Sequence, residues 1–168
     1  EKKLVNIEHH RAHLASTFFA SPYEESAIIS IDGSGDFTTT MIAYGKGNKI
    51  EVLDSIDYPV SLGFVYTAFT HFLGFPHYGD EYKVMGLAPY GNPVHVDKVR
   101  ELFVLKENGL WTWKKGYFGE IKVLYKNNQP IVPSFFTKKF SKLFGTPRKQ
   151  SDELTQFHKD LAKSVQVV

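Results

Sequence analysis

The sequence predicts a mixed α/β fold in which an antiparallel three-strand meander is packed by helices. Three observations carry that expectation. Ala27-Ile28-Ile29-Ser30-Ile31 is a short β-branched apolar run closed by Asp32-Gly33-Ser34-Gly35-Asp36, the pattern of a buried strand entering a glycine turn. Gly45-Lys46-Gly47-Asn48 marks a second turn, which leaves 37–44 as the returning strand and 49–58 as a third. Residues 7–20 contain neither Gly nor Pro and stop before Ser21-Pro22, as a helix does.

The remaining elements follow in order. Residues 61–73 place Leu62, Val65, Tyr66, Phe69, Phe72 and Leu73 at helical spacing before Gly74, a helix expected to cover the meander. Residues 75–93 are rich in Gly, Pro and Tyr without clean periodicity, which predicts an ordered loop of the kind that holds ligands. A helix is expected over 93–105, short strands over 110–125, and another helix over 134–144 before the Gly145-Thr146-Pro147 break. Ser151 is expected to cap a last helix, with Asp152 and Glu153 in its first turn and Leu154, Phe157, Leu161 and Val165 as its apolar stripe.

Composition narrows the class. With 168 residues, 42% hydrophobic and 15% aromatic, disorder and collagen-like repeats are excluded. The absence of Cys excludes a disulfide framework and a thiolate zinc site, so a metal must sit on His, Asp or Glu. No apolar run approaches the roughly 20 residues of a membrane span, and the chain opens on charged Glu1, Lys2 and Lys3; a cytoplasmic protein is expected. A start without Met and an end at Val167-Val168, directly after a helical pattern, suggest a piece of a longer polypeptide. Net charge is +2, but 101–150 holds ten Lys/Arg against three acids and 1–60 five against nine. Lys138, Lys139, Lys142, Arg148 and Lys149 suit either a phosphate or a solvated helix face.

His9 and His13 stand four apart on the first helix, so both imidazoles leave one face about one turn apart, close enough to hold one cation; His10 points elsewhere. A zincin is excluded, because position 10 is His where that motif needs Glu. Such a pair also occurs as surface or core decoration. Asp32 supplies a third ligand candidate at the end of a buried strand, or simply forms a turn. Gly33, Ser34 and Gly35 can present backbone N–H groups to a phosphate, although the run matches no Walker or dinucleotide pattern and also suits a hairpin. Glu81 and Lys83 lie in a glycine-bearing stretch where Lys83 can meet a phosphate, or the two can form a surface pair. His71 and His77 read as packing or surface histidines, and Trp111 and Trp113 as packing residues or a base-stacking platform.

Together, His9-His10-Arg11-Ala12-His13-Leu14-Ala15-Ser16, Ile31-Asp32-Gly33-Ser34-Gly35 and the Glu81 to Gly91 block resemble the carbamoyltransferase family of nodulation and antibiotic biosynthesis. Gly145-Thr146-Pro147-Arg148 and Asp160 to Gln166 extend the resemblance over nearly the whole chain. The resemblance implies an actin-like ATPase, ribonuclease-H-like lobe that is incomplete here, with 1–168 a fragment of the catalytic domain and a YrdC-like domain elsewhere in the polypeptide. It also implies a reaction. Carbamoyl phosphate and ATP give carbamoyl adenylate, and the carbamoyl group passes to a hydroxyl of a small-molecule acceptor. By position, His9, His13 and Asp32 look like ligands of the family's metal, iron(II) with zinc as the alternative. Gly33, Ser34 and Gly35 would hold the adenylate phosphate, and Glu81 and Lys83 match a block near the nucleotide. The fourth ligand, an Asp, lies beyond the chain, so the isolated piece is expected to bind metal poorly and turn over nothing. Two other readings stay open: a transferase acting on tRNA adenosine, against which the Glu81 to Gly91 block argues, and a non-catalytic ATPase-fold interaction module. Membrane and nucleic acid are not expected as partners.

Overall fold

The computed structural model describes residues 3–122 and 124–168; Glu1, Lys2 and Val123 lie outside the described residues, and with them most of the charged opening. The chain divides into two compact units, Glu1–Phe64 and Val65–Val168.

In the first unit, α1 (His9–Phe18) is followed by β1 (Glu25–Gly35), β2 (Thr38–Lys46) and β3 (Lys49–Asp57). The strands form one antiparallel sheet in the order β1-β2-β3, the expected meander. Its core joins Leu14 and Phe18 of α1 to Ile28, Met41 and Ala43 of the sheet, because side chains four apart on the helix share the face that meets the inward residues of the strands. α1, rather than the helix over 61–73, therefore supplies the helical part of this core. The glycine run is also placed differently from expectation. β1 continues through Gly35, with a register shift between Ile31 and Gly35, and the chain turns at Asp36, whose φ of 53° supplies the left-handed residue.

α2 (Leu62–Phe72) starts in the first unit, where the Ser61 hydroxyl accepts from the Phe64 N–H (3.2 Å), and continues into the second. Val65, Phe69 and Phe72 belong to the core of the second unit. There, α3 (Glu81–Leu87) and a 3-10 turn over Ala88–Tyr90 occupy the stretch expected to be a loop. α4 (Val96–Arg100) is shorter than the expected helix over 93–105, whose end instead forms β4 (Phe103–Leu105), paired with β5 (Trp111–Trp113). β6 (Leu124–Lys126) and β7 (Gln129–Ile131) make a small hairpin. α5 (Lys138–Phe144) is capped by Thr137, whose hydroxyl accepts from the Lys139 and Phe140 N–H groups. α6 (Gln156–Val167) is capped by Thr155 in a box with His158, four residues later than the expected Ser151. Phe69, Phe72, Phe140 and Phe144 pack with ring centroids 4.7–6.2 Å apart. Full burial of one such ring is worth about 1.5–3 kcal/mol, and edge contacts add about 0.5–1.5. Among the described residues, no helix is long and apolar enough to cross a membrane.

Candidate metal centre

Three side chains that are 23 residues apart at most converge where α1 crosses the end of β1. Glu8 starts the helix by accepting from the His10 and Arg11 N–H groups (3.1 and 2.9 Å), and Asp36 accepts from the His9 N–H (3.0 Å). The helix then carries His9 and His13 on one face. On β1, the Ser61 hydroxyl donates to the Asp32 carbonyl (3.1 Å) and the Gly33 N–H donates to Asp32 Oδ1 (2.6 Å), which leaves Oδ2 for the histidines. His9 Nε2 lies 3.0 Å from Asp32 Oδ2, His13 Nε2 lies 3.7 Å from the same oxygen, and the two Nε2 atoms are 2.9 Å apart. The ligand atoms all fall within 4.8 Å of one another.

Such an arrangement needs a positive charge at its centre. With Nε2 unprotonated on both rings, three lone pairs point at one spot, and only a shared proton or a cation relieves their repulsion. Burial pushes the Asp32 carboxyl up, but the His9 hydrogen bond, the Gly33 N–H and the two imidazole charges together hold it below the usual carboxylate range. It stands ready as an anion. A cleft of about 350 Å³ opens beside the cluster, lined by His13, Thr17, Ile29, Ser30, Ile31 and Asp32.

Gly35 has a role that the loop reading missed. A Cβ there would stand 2.0 Å from Cδ2 of the His9 ring, so the missing side chain is the space in which His9 sits. Gly33 differs, since a Cβ there meets nothing within 4 Å. The structure thus brings His9, His13, Asp32 and the Gly33-Ser34-Gly35 strand end together in the first unit.

Glu81 and Lys83 lie in the second unit and do not pair with each other. The Thr67 hydroxyl donates to Glu81 Oε1 (2.6 Å), whereas Lys83 meets Asp80 (2.6 Å) and stands over the Phe75 and Tyr82 rings. Asp80, which sequence reasoning passed over, is buried. Burial pushes its carboxyl up, but the Lys83 hydrogen bond, the His77 N–H (3.1 Å) and the neighbouring positive charges hold it below the usual value of 3.8. Because the folded value is depressed, the stabilisation is complete above the unfolded value and is lost as pH falls through the folded one. Asp80→Asn is therefore expected to flatten the fall in thermal stability between about pH 5 and about pH 3, as read by thermal scans at several pH values. An unchanged acid slope would refute this assignment.

Other sequence candidates are structural. Arg148 is buried; its Nε–H donates to the Leu73 carbonyl (2.6 Å), its Nη1 reaches the Gln150 and Asp152 carbonyls, and its guanidinium stands 5.1 Å from the Phe75 centroid. It is no free phosphate contact. Trp111 packs on Phe103 and Trp113 on Phe118, as packing residues do. His71 is buried on α2 and its ring is pushed towards the neutral form, chiefly by burial, against the opposing charges of Glu81 and Asp80.

Comparison with known proteins extends this geometry. Residues 1–168 match the family described as Carbamoyltransferase N-terminus. The chain belongs to this carbamoyltransferase family. An uncharacterized protein of Synechocystis sp., sll1178, is 42% identical over 167 residues, which is 98% of this chain and 26% of that protein. Nodulation protein NolNO of Sinorhizobium fredii is 36% identical over 161 residues, 95% of this chain and 21% of its own length. Nodulation protein NolO of Bradyrhizobium diazoefficiens is 45% identical over 97 residues, 58% of this chain and 17% of its own. The chain thus spans about a quarter or less of the length of these relatives.

Proposed function

We propose that this chain is part of the catalytic domain of an O-carbamoyltransferase, an actin-like, ribonuclease-H-like lobe working with a YrdC-like domain of the same polypeptide. That domain would make carbamoyl adenylate from carbamoyl phosphate and ATP, and the site on this chain would take part in passing the carbamoyl group to a hydroxyl of a small-molecule acceptor. The observation that carries the reading is the convergence of His9 Nε2, His13 Nε2 and Asp32 Oδ2, in a chain of the carbamoyltransferase family.

Two imidazoles and a carboxylate suit iron(II), with zinc as the alternative. They fit. When bound, such a cation supplies Lewis-acid polarisation of the carbamoyl carbonyl and lowers the pKa of an acceptor hydroxyl. The chain's own residues prepare that position. Asp32 contributes charge, the two histidines contribute neutral lone pairs, and Gly35 leaves His9 the room to turn its Nε2 inward. Backbone N–H groups of Ser34 and Gly35 are the proposed contacts for the adenylate phosphate; that of Gly33 is already given to Asp32. Lys83 is proposed to meet a nucleotide phosphate while Asp80 holds its amine, and Glu81 to meet the ribose. A fourth metal ligand comes from outside this chain, so the isolated 168 residues are inactive in this reading.

The test is metal removal from the full-length polypeptide, purified anaerobically. Chelation is expected to abolish carbamoyl transfer from carbamoyl phosphate and ATP to a hydroxyl acceptor, and iron(II) or zinc is expected to restore it. Undiminished transfer by metal-free protein would overturn the reading.

A further inference from the structure

His10 stands between the two candidate ligands in sequence yet faces the interior, fully buried. Its Nε2 is 2.9 Å from the Thr38 carbonyl and its Nδ1 is 2.8 Å from Ser30 Oγ. A carbonyl only accepts, so Nε2 carries a proton and donates to Thr38, while Nδ1 pairs with the Ser30 hydroxyl, which can donate or accept. Every polar atom of the ring is used, as burial demands.

Both partners sit beside the candidate centre. Ser30 precedes Asp32 by two positions on β1, so the two side chains leave the same face of the strand. Thr38 is paired with Gly35, the residue whose missing Cβ makes room for His9. One ring therefore ties α1 to β1 and to β2 at the two places that set Asp32 and His9. Apart from the His9 N–H bond to Asp36, which anchors only the first residue of the helix, and the contacts within the cluster itself, α1 meets the sheet through the apolar side chains of Leu14 and Phe18, and apolar packing is non-directional. That packing holds the helix down without fixing its rotation. A turn by one residue is about 100°, and even a fraction of it would carry both Nε2 atoms away from Oδ2, where tolerances are about 0.5 Å.

We infer that His10 is a positioning residue: its hydrogen bonds to Ser30 and Thr38 fix the rotation of α1 so that His9 and His13 meet Asp32 in a metal-binding arrangement. The inference rests on reading that cluster as a metal site.

Cobalt(II) is the probe, titrated into the metal-free full-length protein and followed by its visible absorption. H10A is expected to bind cobalt(II) about 10–100-fold more weakly, the range typical of residues that support metal ligands, and to shift the spectrum of what is bound. H10Q, whose amide N–H can still reach the Thr38 carbonyl, is expected to recover most of the affinity and the wild-type spectrum. S30A is expected to lose affinity by a smaller factor. A folded H10A with wild-type affinity and spectrum overturns the proposal, as does an H10Q no better than H10A. Should H10A fail to fold, S30A decides: weaker cobalt(II) binding supports the positioning role, and unchanged binding overturns it. The underlying reading is tested separately by H9A with H13A. If that pair binds cobalt(II) as the wild type does, the cluster is no metal site and the proposal falls with it; if it does not, the H10A, H10Q and S30A results judge His10 alone.

Discussion

Replacing His9 and His13 together by Ala is expected to strip the metal from the full-length protein and abolish carbamoyl transfer. Losing a residue that merely supports a ligand costs about 10–100-fold in affinity, so losing two ligands should exceed about 10³-fold and leave the site empty at any ordinary concentration. Asp32, a carboxylate at a partly exposed position, and the fourth ligand proposed from outside this chain would be left without the imidazoles and hold a cation weakly. The fold should survive. Both imidazoles are exposed at about half of their side-chain surface, the packing of α1 rests on His10, Leu14 and Phe18, and Ala favours helix. Stability should therefore change by no more than about 0.5 kcal/mol. Metal analysis after anaerobic purification, beside a transfer assay and circular dichroism, reads all three. One metal and normal turnover in the double variant would mean that the histidines serve only the surface.

Gly91→Ala is expected to be the most disruptive conservative change in the second unit. A Cβ at 91 would stand 2.0 Å from the Lys159 carbonyl oxygen and 2.6 Å from the Asp160 N. Both are backbone atoms of α6, which cannot swing aside as a side chain can. To make room, α6 must back away from the 3-10 turn, which breaks the Asn92 N–H bond to Asp160 Oδ1 (2.7 Å) and draws fully buried Leu161 and Ala162 out of the core. The cost should lie at or beyond the top of the about 1–3 kcal/mol range for overpacking, visible as a lower thermal midpoint and lost amide protection along α6. Gly86→Ala is the matched control, because a Cβ there meets nothing within 4 Å and lies within α3. It should be neutral or gain up to about 1 kcal/mol. Equal effects of the two changes would show that the close approach at Gly91 is unimportant.

The halves of the chain were legible to different degrees. His9, His13 and Asp32 could be proposed from spacing because local periodicities govern them: four residues make one helical turn, and a β-branched run makes a strand. The glycines between Asp32 and Asp36 misled for a physical reason. Glycine suggests a turn, but Gly35 is in β1 because of what lies above it, and the left-handed position falls to Asp36. His10 was invisible as a structural element, since its partners are 20 and 28 residues away. α3 was missed because seven residues with a glycine among them have little helical signal of their own, and Val84 and Leu87 form the helix by entering a core built from distant segments. Thr155 rather than Ser151 begins α6 because His158 completes its capping box, a signal that the usual Glu or Gln pattern does not contain.

The first turn of α1 has an electrostatic consequence for whatever cation the histidines meet. A helix start carries roughly half a positive charge on its free N–H groups, which would repel a metal held by residues of that same turn. Here the N–H groups of His9, His10 and Arg11 are all taken by carboxylates, one from Asp36 and two from Glu8. Those two anions offset the macrodipole at its source, each by an interaction of about 0.3–1 kcal/mol. Glu8 and Asp36 thus remove a repulsion from the neighbourhood of a cation they never touch.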